Sequence, residues 1–516
     1  MYQEIQIRVR PEEAGQKEML KKAVARMSGY AAERICRLDI IRRSIDARQR
    51  EVMLNLTVGI HVDKIEEKEK VFMPAYRDVS GAEPVIIVGA GPGGLFAALR
   101  LIERGCRPIV LERGKTVEER KKDLNRLYKT GLVDEDSNFG YGEGGAGTFS
   151  DGKLFTRSKK RGDVRRALEI LVYHGANENI LVDAHPHVGT DKLSGVIINI
   201  RNTIEKFGGE IRFNTRVTDL LIRGQKVCGV VAGDKEIMAR NVILATGHSA
   251  RDIYHMLQER CVRMESKDFA VGLRLEHPQQ DIDCMQYHSR TGRDPWLPAA
   301  EYSFVTNIDG RGVYSFCMCP GGIVVPAATG PGQQVVNGMS SSYRNTAWAN
   351  SAMVTAIGQV ELERMQYKGL FAGIEFQEAL ERKAWEEGGG GLYAPAQVLT
   401  DFLSGRLSNS LPSTSYKPGV KSSLISGWLP GLIRRRLADG LKYFGQRARG
   451  FVSDKALLLG VETRTSSPLR IPRNEQYMHP EIVGLYPCGE GAGYAGGIIS
   501  AAMDGEKCAE NVVLKQ

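Results

Sequence analysis

Two cysteines, Cys317 and Cys319, lie two positions apart and are followed by Pro320-Gly321-Gly322. A thiolate is a nucleophile, and two neighbouring thiols can exchange electrons by closing a disulfide. In a strand, residues i and i+2 share a face, but their spacing is unfavourable for a disulfide. Three roles therefore remain open for Cys317: one half of a redox dithiol, a lone thiol that faces a substrate, or a buried structural cysteine.

Three charged residues could handle protons or anions. Glu276 and His277 are adjacent in otherwise apolar surroundings, and either could act as a proton donor or base. Arg464 could bind a carboxylate or phosphate group through its guanidinium. An internal network of salt bridges would explain the same charges without a catalytic role. Together with Cys317, these three residues are the candidate catalytic residues.

A glycine-rich segment, Gly89-Ala90-Gly91-Pro92-Gly93-Gly94, lies between an apolar run, Pro84–Gly89, and a helical pattern, Ala97–Glu103. It matches G-x-G-x-x-G, whose glycines allow a tight turn, backbone approach to a pyrophosphate, and close packing of helix on strand. Proline suits the first turn of a helix, and the helix N-terminus attracts anions. The residues predicted to bind a dinucleotide here are Gly89, Gly91, Pro92, Gly93 and Gly94. The alternative is a glycine-rich turn in an unrelated α/β domain.

A second strand, Arg107–Glu112, ends in an acid that is followed by Arg113. Glu112 lies 21 residues after Gly91, where a carboxylate suits ribose hydroxyls. The same glycine pattern recurs at Gly491–Gly496, but no strand ending in an acid follows it. We therefore expect this loop to meet the same dinucleotide from its other end, rather than to open a second nucleotide domain.

Three further features resemble flavoproteins of the glutathione-reductase class and favour FAD over NAD. Ala245-Thr246-Gly247 follows an apolar strand, like the turn which that class places beside the cofactor. Gly489-Glu490 stands where the class has Gly-Asp, whose acid binds the ribityl chain. Thr215-Arg216-Val217 has the place of the strand that holds the adenine. By this resemblance, the residues that contact FAD include Val217, Ala245, Thr246, Gly247, Gly489, Glu490, Gly497 and Ile498, with Arg113 beside Glu112.

The run Gly144–Leu154 resembles the signature of a bacterial family of FAD-dependent proteins, often labelled NAD(FAD)-utilising dehydrogenases. Segments Phe316–Gly322, Gly460–Ile471 and Tyr486–Gly505 are similar too, and the likeness covers about 83–516. It implies FAD, which we take to be bound non-covalently, and a loop, Gly140–Lys153, that runs along the pyrophosphate toward the flavin ring. The loop residues placed at the cofactor by this resemblance are Gly145, Gly147, Ser150 and Lys153. A surface turn with a solvated lysine is the alternative for Lys153.

These patterns predict an α/β protein. The expected architecture is a glutathione-reductase-like, FAD-binding Rossmann domain with an inserted mixed α+β cap domain and a small N-terminal α+β domain. The predicted boundaries are 1–80 (ferredoxin-like), 83–262 (FAD-binding, first part), 263–477 (cap) and 478–516 (FAD-binding, second part). In the first unit we expect a strand at Glu4–Val9, a helix at Glu12–Met27, a strand at Glu51–Val62 and a charged hinge at Lys64–Lys70.

The composition limits the remaining possibilities. The chain has 516 residues, 42% of them hydrophobic and 25% charged, which excludes a disordered or fibrous protein. Nine cysteines are scattered without a disulfide or zinc spacing, so no metal site is predicted. The start of the chain lacks a signal-peptide pattern, and no apolar run has membrane-spanning length. A cytoplasmic protein without a membrane partner is the expectation.

The net charge of +9 is compatible with an anionic cofactor and substrate, or with nucleic acid. RNA is the less favoured partner, because residues 1–80 hold 16 Lys and Arg against 13 Asp and Glu, without interleaved aromatic residues. The sequence predicts an FAD-dependent oxidoreductase that transfers hydride between flavin N5 and a small anionic substrate, with NADH or NADPH as a transient donor. A flavin-dependent RNA-modifying enzyme and a non-catalytic redox-sensing flavoprotein are the alternatives.

Overall fold

The computed structural model describes residues 1–65, 72–156 and 162–513. The strands, in chain order, are β1 (Tyr2–Val9), β2 (Ile35–Asp46), β3 (Met53–Val62), β4 (Pro84–Val88), β5 (Arg107–Leu111), β6 (Glu210–Arg212), β7 (Val217–Arg223), β8 (Lys226–Ala232), β9 (Lys235–Met238), β10 (Val242–Leu244), β11 (Glu265–Ser266), β12 (Phe269–Pro278), β13 (Val305–Ile308), β14 (Arg311–Cys319), β15 (Ile323–Pro326), β16 (Val336–Met339), β17 (Trp348–Ile357), β18 (Ala394–Val398), β19 (Val420–Ser422), β20 (Leu457–Glu462), β21 (Leu469–Arg470) and β22 (Leu485–Pro487). The α-helices are α1 (Pro11–Gly15), α2 (Lys17–Ser28), α3 (Pro92–Arg104), α4 (Val117–Thr130), α5 (Val164–Tyr173), α6 (Thr190–Lys206), α7 (Arg251–Glu259), α8 (Gln279–Tyr287), α9 (Gln359–Arg364), α10 (Ala372–Gly388), α11 (Leu399–Ser404), α12 (Ile425–Trp428), α13 (Gly431–Arg447) and α14 (Ile498–Val513).

The N-terminal unit, residues 1–65, is an antiparallel sheet of strand order β1-β3-β2 with α1 and α2 after its first strand. Alternate residues of β3, from Leu54 to Val62, are buried with Leu20 and Val24 of α2, as the two-residue period of a strand requires. This described part has three strands, one fewer than a ferredoxin-like sheet, so that expectation is not met. The predicted hinge at Lys64–Lys70 lies mostly outside the described residues.

Two elements of this unit differ from the sequence prediction. The predicted helix at Glu12–Met27 is two helices, because Gln16 between them has an extended backbone (φ −114°, ψ 115°). Strand β2 was missed, because basic residues such as Arg42 and Arg43 interrupt its apolar pattern and leave it half-exposed.

A five-stranded parallel sheet of order β22-β10-β4-β5-β6 forms the centre of the second unit. Strand β4 is buried from Val85 to Val88, as its unbroken apolar run predicted. Helices α3 and α14 pack side by side, and the carboxyl ends of β4, β10 and β22 lie at one edge. Strand β6 joins this sheet, whereas β7, which begins at Val217, belongs to a separate meander, β7-β8-β9.

The central part of the chain forms a seven-stranded sheet of order β13-β14-β17-β12-β20-β18-β19. Leu273 and Leu275 of β12 face a core that also contains Ile433 and Leu437 of α13. The opposite face of β12 carries charged side chains, including Arg274. No strand was recognised here from the sequence, because β12 is buried along nearly its whole length and alternates between apolar and polar residues only from Leu273 to Glu276.

Candidate functional site

The first glycine-rich loop joins β4 to α3 with the geometry that its motif predicts. Gly89 has a φ of +103°, and its N–H donates to Leu111 O at 2.8 Å. A Cβ on Gly94 would lie 1.9 Å from Gly89 O, so only glycine allows α3 to approach the strand so closely. Gly91 differs, because a Cβ there would meet no described atom within 4 Å. It borders open space at the N-terminus of α3.

Two further segments meet this loop at the carboxyl edge of the parallel sheet. Ala245 N donates to Val88 O at 2.9 Å, and Cys488 N donates to Leu244 O at 3.0 Å. Gly491 N then donates to Thr246 O at 3.1 Å. The turn at 245–247 and the C-terminal loop therefore lie next to the first glycine loop. In parallel α/β sheets, ligands bind at this edge.

The second glycine-rich loop, residues 140–152, closes over the same place. Gly144 N donates to Ala90 O at 2.8 Å. A Cβ on Gly145 would lie 3.3 Å from Gly91 Cα, and one on Gly147 would lie 3.3 Å from Ile498 Cγ1. The three glycine-rich windows of the sequence thus meet around the N-termini of α3 and α14.

Arg120, on α4, binds carbonyl oxygens in and next to the second loop, a role that the sequence analysis did not predict. Its side chain is fully buried and donates to Glu143 O at 2.6 Å, Gly145 O at 3.1 Å and Asn138 O at 2.8 Å. Burial lowers the pKa of Arg120 to about 10. Arg120 lies on α4, which is rich in charged residues, and an arginine on such a helix is usually solvated. The sequence therefore contains no signal for this role.

Glu112 reaches the junction of the first two loops. Its carboxylate is buried and accepts N–H groups from Ala90 at 2.8 Å, Gly114 at 2.9 Å and Gly142 at 3.0 Å. A carboxylate has about four acceptor positions, so roughly one remains for a ribose hydroxyl. The neighbouring Arg113 instead ion-pairs with Asp252 and lies over the Tyr141 ring at 4.6 Å.

The adenine-side segment lies beside Glu112. Thr215 N donates to Glu112 O at 2.8 Å, and Val217 begins β7 as a buried residue. At the other end of the site, Gly489 N donates to Asp504 Oδ2 at 2.7 Å. Glu490 Oε2 lies 3.3 Å from His248 Nδ1, so the acid predicted to reach the ribityl chain faces an imidazole in this structure.

The lining of this cleft fits a dinucleotide. Gly91, Gly247, Gly489 and Gly497 each have no described atom within 4 Å of the position of a Cβ. In contrast, a Cβ on Gly505 would lie 2.0 Å from Gly93 O, so the glycine at this position serves only the close packing of α14 on α3. Bare backbone beside open space, next to two helix N-termini, is what the pyrophosphate and ring of FAD require. We refer to this cleft as the glycine cradle.

The end of the second loop leads from the cradle toward the seven-stranded sheet. Ser150 Oγ donates to Gly147 O at 2.7 Å and accepts Gly152 N at 3.1 Å, which closes a turn. The buried Asp151 pairs with Arg344. Lys153 Nζ lies 3.7 Å from Glu301 Oε2, which is an ion pair but too long for a hydrogen bond.

Cys317 and Cys319 lie on β14 where its pairing with β17 is interrupted between Phe316 and Cys319. Cys317 has a left-handed φ of +46°, so the pair does not have regular strand geometry. Cys319 is fully buried, whereas Cys317 is partly exposed. A hydrogen bond from Cys319, followed by the charges of Arg274 and Lys153, lowers the pKa of the Cys317 thiol to about 6. The same hydrogen bond raises the pKa of Cys319.

Arg274 is fully buried beneath the two cysteines. It donates to Cys317 O at 2.8 Å and to Cys319 Sγ at 3.3 Å, and it pairs with Glu462 at 3.0 Å. Burial raises the pKa of Glu462 to about 7, although Arg274 opposes this shift. Neither residue was predicted to support the cysteines, because their elements are far apart in the sequence.

Glu276 and His277 point to opposite faces of β12 and do not form one site. Glu276 accepts hydrogen bonds from Thr414 Oγ1 at 2.6 Å and from Ser415 N at 3.1 Å, and burial raises its pKa. His277 is fully buried against Phe451, whose carbonyl its Nε2 meets at 2.8 Å. Burial lowers the pKa of His277 to about 4. The structure gives both residues internal partners, and their role as catalytic residues stays a prediction.

Arg464 is also used inside the protein. Its guanidinium donates to Glu381 at 2.9 and 3.1 Å, to Thr329 Oγ1 at 2.7 Å and to Gln333 Oε1 at 2.7 Å. Arg251 binds the other side of the same carboxylate. These internal partners occupy the guanidinium donors of Arg464 in this structure, and its role in binding a substrate anion stays a prediction. Its carbonyl accepts His248 Nε2 at 2.9 Å, so Arg464 fixes the turn beside the cradle.

Cys488, Asp504 and Cys508 have ligand atoms within 4.8 Å of one another and form the candidate metal group among the described residues. Arg473 donates to both oxygens of Asp504, at 2.6 and 2.9 Å. A guanidinium in this position supplies the positive charge that the carboxylate needs, so we assign the group to packing beneath the C-terminal loop. Among the described residues, no helix is both long and apolar enough to cross a membrane.

Family models match three consecutive parts of the chain. Residues 83–265 match a model described as pyridine nucleotide-disulphide oxidoreductase, and residues 268–465 match one described as FAD-dependent protein, C-terminal domain-like. Residues 1–61 match a domain of unknown function, DUF8436. Together with the parallel sheet and the glycine cradle, these matches define an FAD-dependent oxidoreductase with a Rossmann-type dinucleotide-binding fold.

An uncharacterized protein of Clostridium beijerinckii is 40% identical over an alignment of 519 positions, gaps included, which covers 96% of each chain. Protein FixC of Escherichia coli K12 is 28% identical over 203 residues, 38% of this chain and 44% of FixC. A geranylgeranyl bacteriochlorophyll reductase-like structure from Thermoplasma acidophilum is 13% identical, with a TM-score of 0.35 over 84% of this chain and 80% of that chain, a likeness from which we draw nothing. The chain belongs to the uncharacterised family of FAD-dependent proteins that includes the Clostridium protein, which confirms the resemblance carried by the run Gly144–Leu154.

Proposed function

We propose that this protein transfers hydride between the N5 atom of a non-covalently bound FAD and a small anionic substrate. The observation that carries the proposal is the glycine cradle, where three glycine-rich segments meet at the carboxyl edge of the parallel sheet. FAD bound there would supply the redox chemistry, and the chain would supply binding, orientation and a shaped environment.

The chain's own groups suit the phosphate end of such a cofactor. Gly91 and Pro92 present the N-terminus of α3, where unpaired N–H groups and the helix dipole attract anions. Gly145 and Gly147 bring a second stretch of backbone against the same turn. The remaining acceptor position of Glu112 would take a ribose hydroxyl, which disfavours a 2′-phosphate at that position.

Lys153 supports an anionic substrate. The Lys153 side chain is about 29% exposed, and its ammonium has only the long ion pair to Glu301 among the described residues, so its hydrogen-bond donors are available. The neighbouring cations Arg344 and Arg274 already form ion pairs, with Asp151 and Glu462 respectively. Lys153 follows the loop that closes the cradle, so an anion held by it would lie at the border between the cradle and the seven-stranded sheet.

Anion binding can be tested with inorganic phosphate on the purified holoprotein. We expect phosphate to perturb the flavin absorption spectrum in a saturable way, and the Lys153→Met variant to weaken this effect by about 10-fold or more, because one charged hydrogen bond contributes about 1.5–3 kcal/mol. Lys383→Met is the matched control, because Lys383 is an exposed lysine paired on α10. An equal effect of phosphate on both variants would contradict the role of Lys153.

The electron donor is tested by anaerobic stopped-flow reduction. We expect NADH or NADPH to bleach the flavin band near 450 nm, since the chain would need a diffusible donor at the flavin face. If neither nucleotide reduces the flavin, the nicotinamide-linked reaction is wrong. A flavin that is reduced but passes electrons to no acceptor would instead favour the non-catalytic redox sensor.

Nothing in the N-terminal unit favours the RNA-modifying alternative. Arginines that could form a basic surface are paired with acids: Arg34 with Asp63, Arg37 with Asp39, Arg43 with Asp183, and Arg48 with Asp46. Exposed ion pairs of this kind cancel much of the field that would attract a phosphate backbone.

A further inference from the structure

Cys317 and Cys319, which we call the bulge pair, form a cluster that hydride transfer to an external substrate does not use. Cys319 Sγ donates to Cys317 O at 3.5 Å, and Arg274 donates to Cys317 O at 2.8 Å and to Cys319 Sγ at 3.3 Å. A regular strand would space their Cα atoms by about 6.4–6.8 Å, at the upper limit for a disulfide. The bulge between Phe316 and Cys319 and the left-handed Cys317 remove that regular spacing.

The two cysteine residues differ in access. Cys317 is partly exposed and Cys319 is fully buried. This is the arrangement of a reacting thiol beside a resolving thiol, in which the accessible sulfur exchanges electrons and the buried one completes the disulfide. The lowered pKa of Cys317 agrees with this division, since the thiolate is the reactive form.

The residues around the bulge pair hold the positively charged Arg274 beside the cysteines, where it stabilises a thiolate. Arg274 is held in place by Asn350 Oδ1 at 2.8 Å and by Glu462 at 3.0 Å. Asn350 lies opposite Cys319 in the strand register, and its buried Nδ2 has no hydrogen-bond partner among the described residues. A Cβ on Gly338 would lie 2.0 Å from Arg274 Nη2, so glycine there leaves room for the guanidinium.

The pair lies beside the loop that covers the glycine cradle. Asp151 and Lys153, at the end of that loop, both interact electrostatically with Cys317. Gly145 and Gly147 of the same loop touch Gly91 and Ile498 at the cradle. One continuous segment of chain therefore connects the cofactor cleft to the bulge pair.

We infer that Cys317 and Cys319 form a disulfide that accepts two electrons from the reduced flavin, as a second redox centre of the protein. This inference rests on the proposed binding of a redox-active FAD, but not on the identity of the donor or of the external substrate. In the step, the S–S bond breaks and one S–H bond forms on Cys319. Cys317 becomes a thiolate beside Arg274 and Lys153. The two electrons and the proton all come from the reduced flavin, which returns to its oxidised form.

An anaerobic electron titration of the holoprotein tests this inference. The protein is isolated in air without added thiols and reduced with dithionite in the presence of methyl viologen as mediator. Wild type is expected to take up four electrons per bound FAD, and Cys319→Ser only two. Cys508→Ser is the control, because Cys508 belongs to another cysteine pair, and it should still take up four. Uptake of two electrons by wild type would overturn the inference.

A second measurement follows the thiols themselves and needs no activity. Before titration, alkylation under denaturing conditions should leave the peptide containing 317–319 unlabelled, and its mass should be 2 Da below that of the dithiol form. After titration, the same peptide should carry two labels. Two labels before titration would again overturn the inference. Neither experiment uses a nicotinamide nucleotide, so failure of the proposed donor reaction and failure of the disulfide give different results.

Discussion

Two cysteine pairs in this protein have nearly the same composition and different surroundings. The bulge pair lies with Arg274 and Glu462. The second pair, Cys488 and Cys508, which we call the helix pair, joins the end of β22 to α14 and lies with Arg473 and Asp504. Each cluster contains two thiols, one guanidinium and one carboxylate.

The helix pair is enclosed on every side. Both cysteines are fully buried, and the hydrogen bond to Cys508, together with burial, raises the pKa of Cys488. Arg473 is stacked between Tyr494, at 3.7 Å, and Tyr477, at 4.2 Å. The carboxylate of Asp504 accepts two bonds from Arg473 and one from Gly489 N, so this cluster anchors the C-terminal glycine loop.

The bulge pair differs in backbone and access rather than in residue types. Its accessible cysteine has a left-handed backbone, and its guanidinium contacts sulfur and carbonyl as well as carboxylate. The comparison shows that two cysteine pairs, each with a nearby arginine, differ in whether one residue of the pair is partly exposed. We therefore assign redox chemistry to the bulge pair and structural support to the helix pair.

The largest effect is expected when Asp504, the carboxylate beside the helix pair, is replaced. Asp504→Asn leaves Arg473 buried without its charge partner, which costs about 3–5 kcal/mol of unfolding free energy. Urea denaturation followed by flavin release measures this loss. Glu510→Gln removes a half-exposed acid on the same helix and should cost less than about 1 kcal/mol. Equal stability of the two variants would contradict the anchoring role of Asp504.

The next largest effect concerns alkylation of the native, reduced protein. We expect iodoacetamide to label Cys317 at least on the order of 100-fold faster than Cys488 or Cys508, because the helix pair must first open locally. Peptide mass spectrometry gives the rates, and the exposed Cys36 serves as a reference for access. Comparable rates in both pairs would remove the distinction between them.

The pH dependence of Cys317 has a defined sign. Because its folded pKa is lowered to about 6, below an unfolded value of about 8.5, folding favours the thiolate. Stability of wild type relative to Cys317→Ala should therefore rise as the pH increases from about 6 to 8.5, and fall as the pH drops through 6. The groups that face Cys317 and act on its charge are Cys319, Arg274, Asp151 and Lys153, and the charge of Cys317 in turn acts on Glu462.

This pH dependence can be measured by urea unfolding of both proteins across the range, together with the alkylation rate of Cys317. The alkylation midpoint should lie near pH 6. A stability difference that is constant from pH 6 to 8.5, or an alkylation midpoint near 8.5, would contradict the electrostatic role of Arg274.

The smallest expected effect is that of Arg274→Lys. Lysine keeps the charge but loses the planar fork that reaches Cys319 Sγ, Cys317 O and Glu462 together. The alkylation midpoint of Cys317 should move upward by about one pH unit, while the rate for the helix pair stays unchanged. A midpoint that does not move would show that charge alone, rather than the geometry of the guanidinium, sets the reactivity.

The two clusters also show what the sequence could predict. The glycine loops were recognised because a local motif needs particular residues at fixed spacing, and the chain follows it at Gly89 and Gly94. Arg120 and Arg274 were not recognised in their roles, because each acts across elements distant in the chain. Glu276 and His277 were predicted together, but adjacency in a strand puts their side chains on opposite faces, where each has a different internal partner. The bulge at Cys317 has no sequence signal that distinguishes it from a regular strand.

The binding of FAD in the glycine cradle is tested most directly by placing a side chain on Gly91. Gly91→Val and Gly431→Val are matched, because in the described part of the chain neither glycine has an atom within 4 Å of its Cβ position, and both lie at the start of a helix. The measurement is the ratio of FAD to protein after gel filtration. We expect Gly431→Val to keep one FAD per chain and Gly91→Val to keep roughly a tenth or less. A folded Gly91→Val protein that carries stoichiometric FAD would contradict the assignment of the cradle.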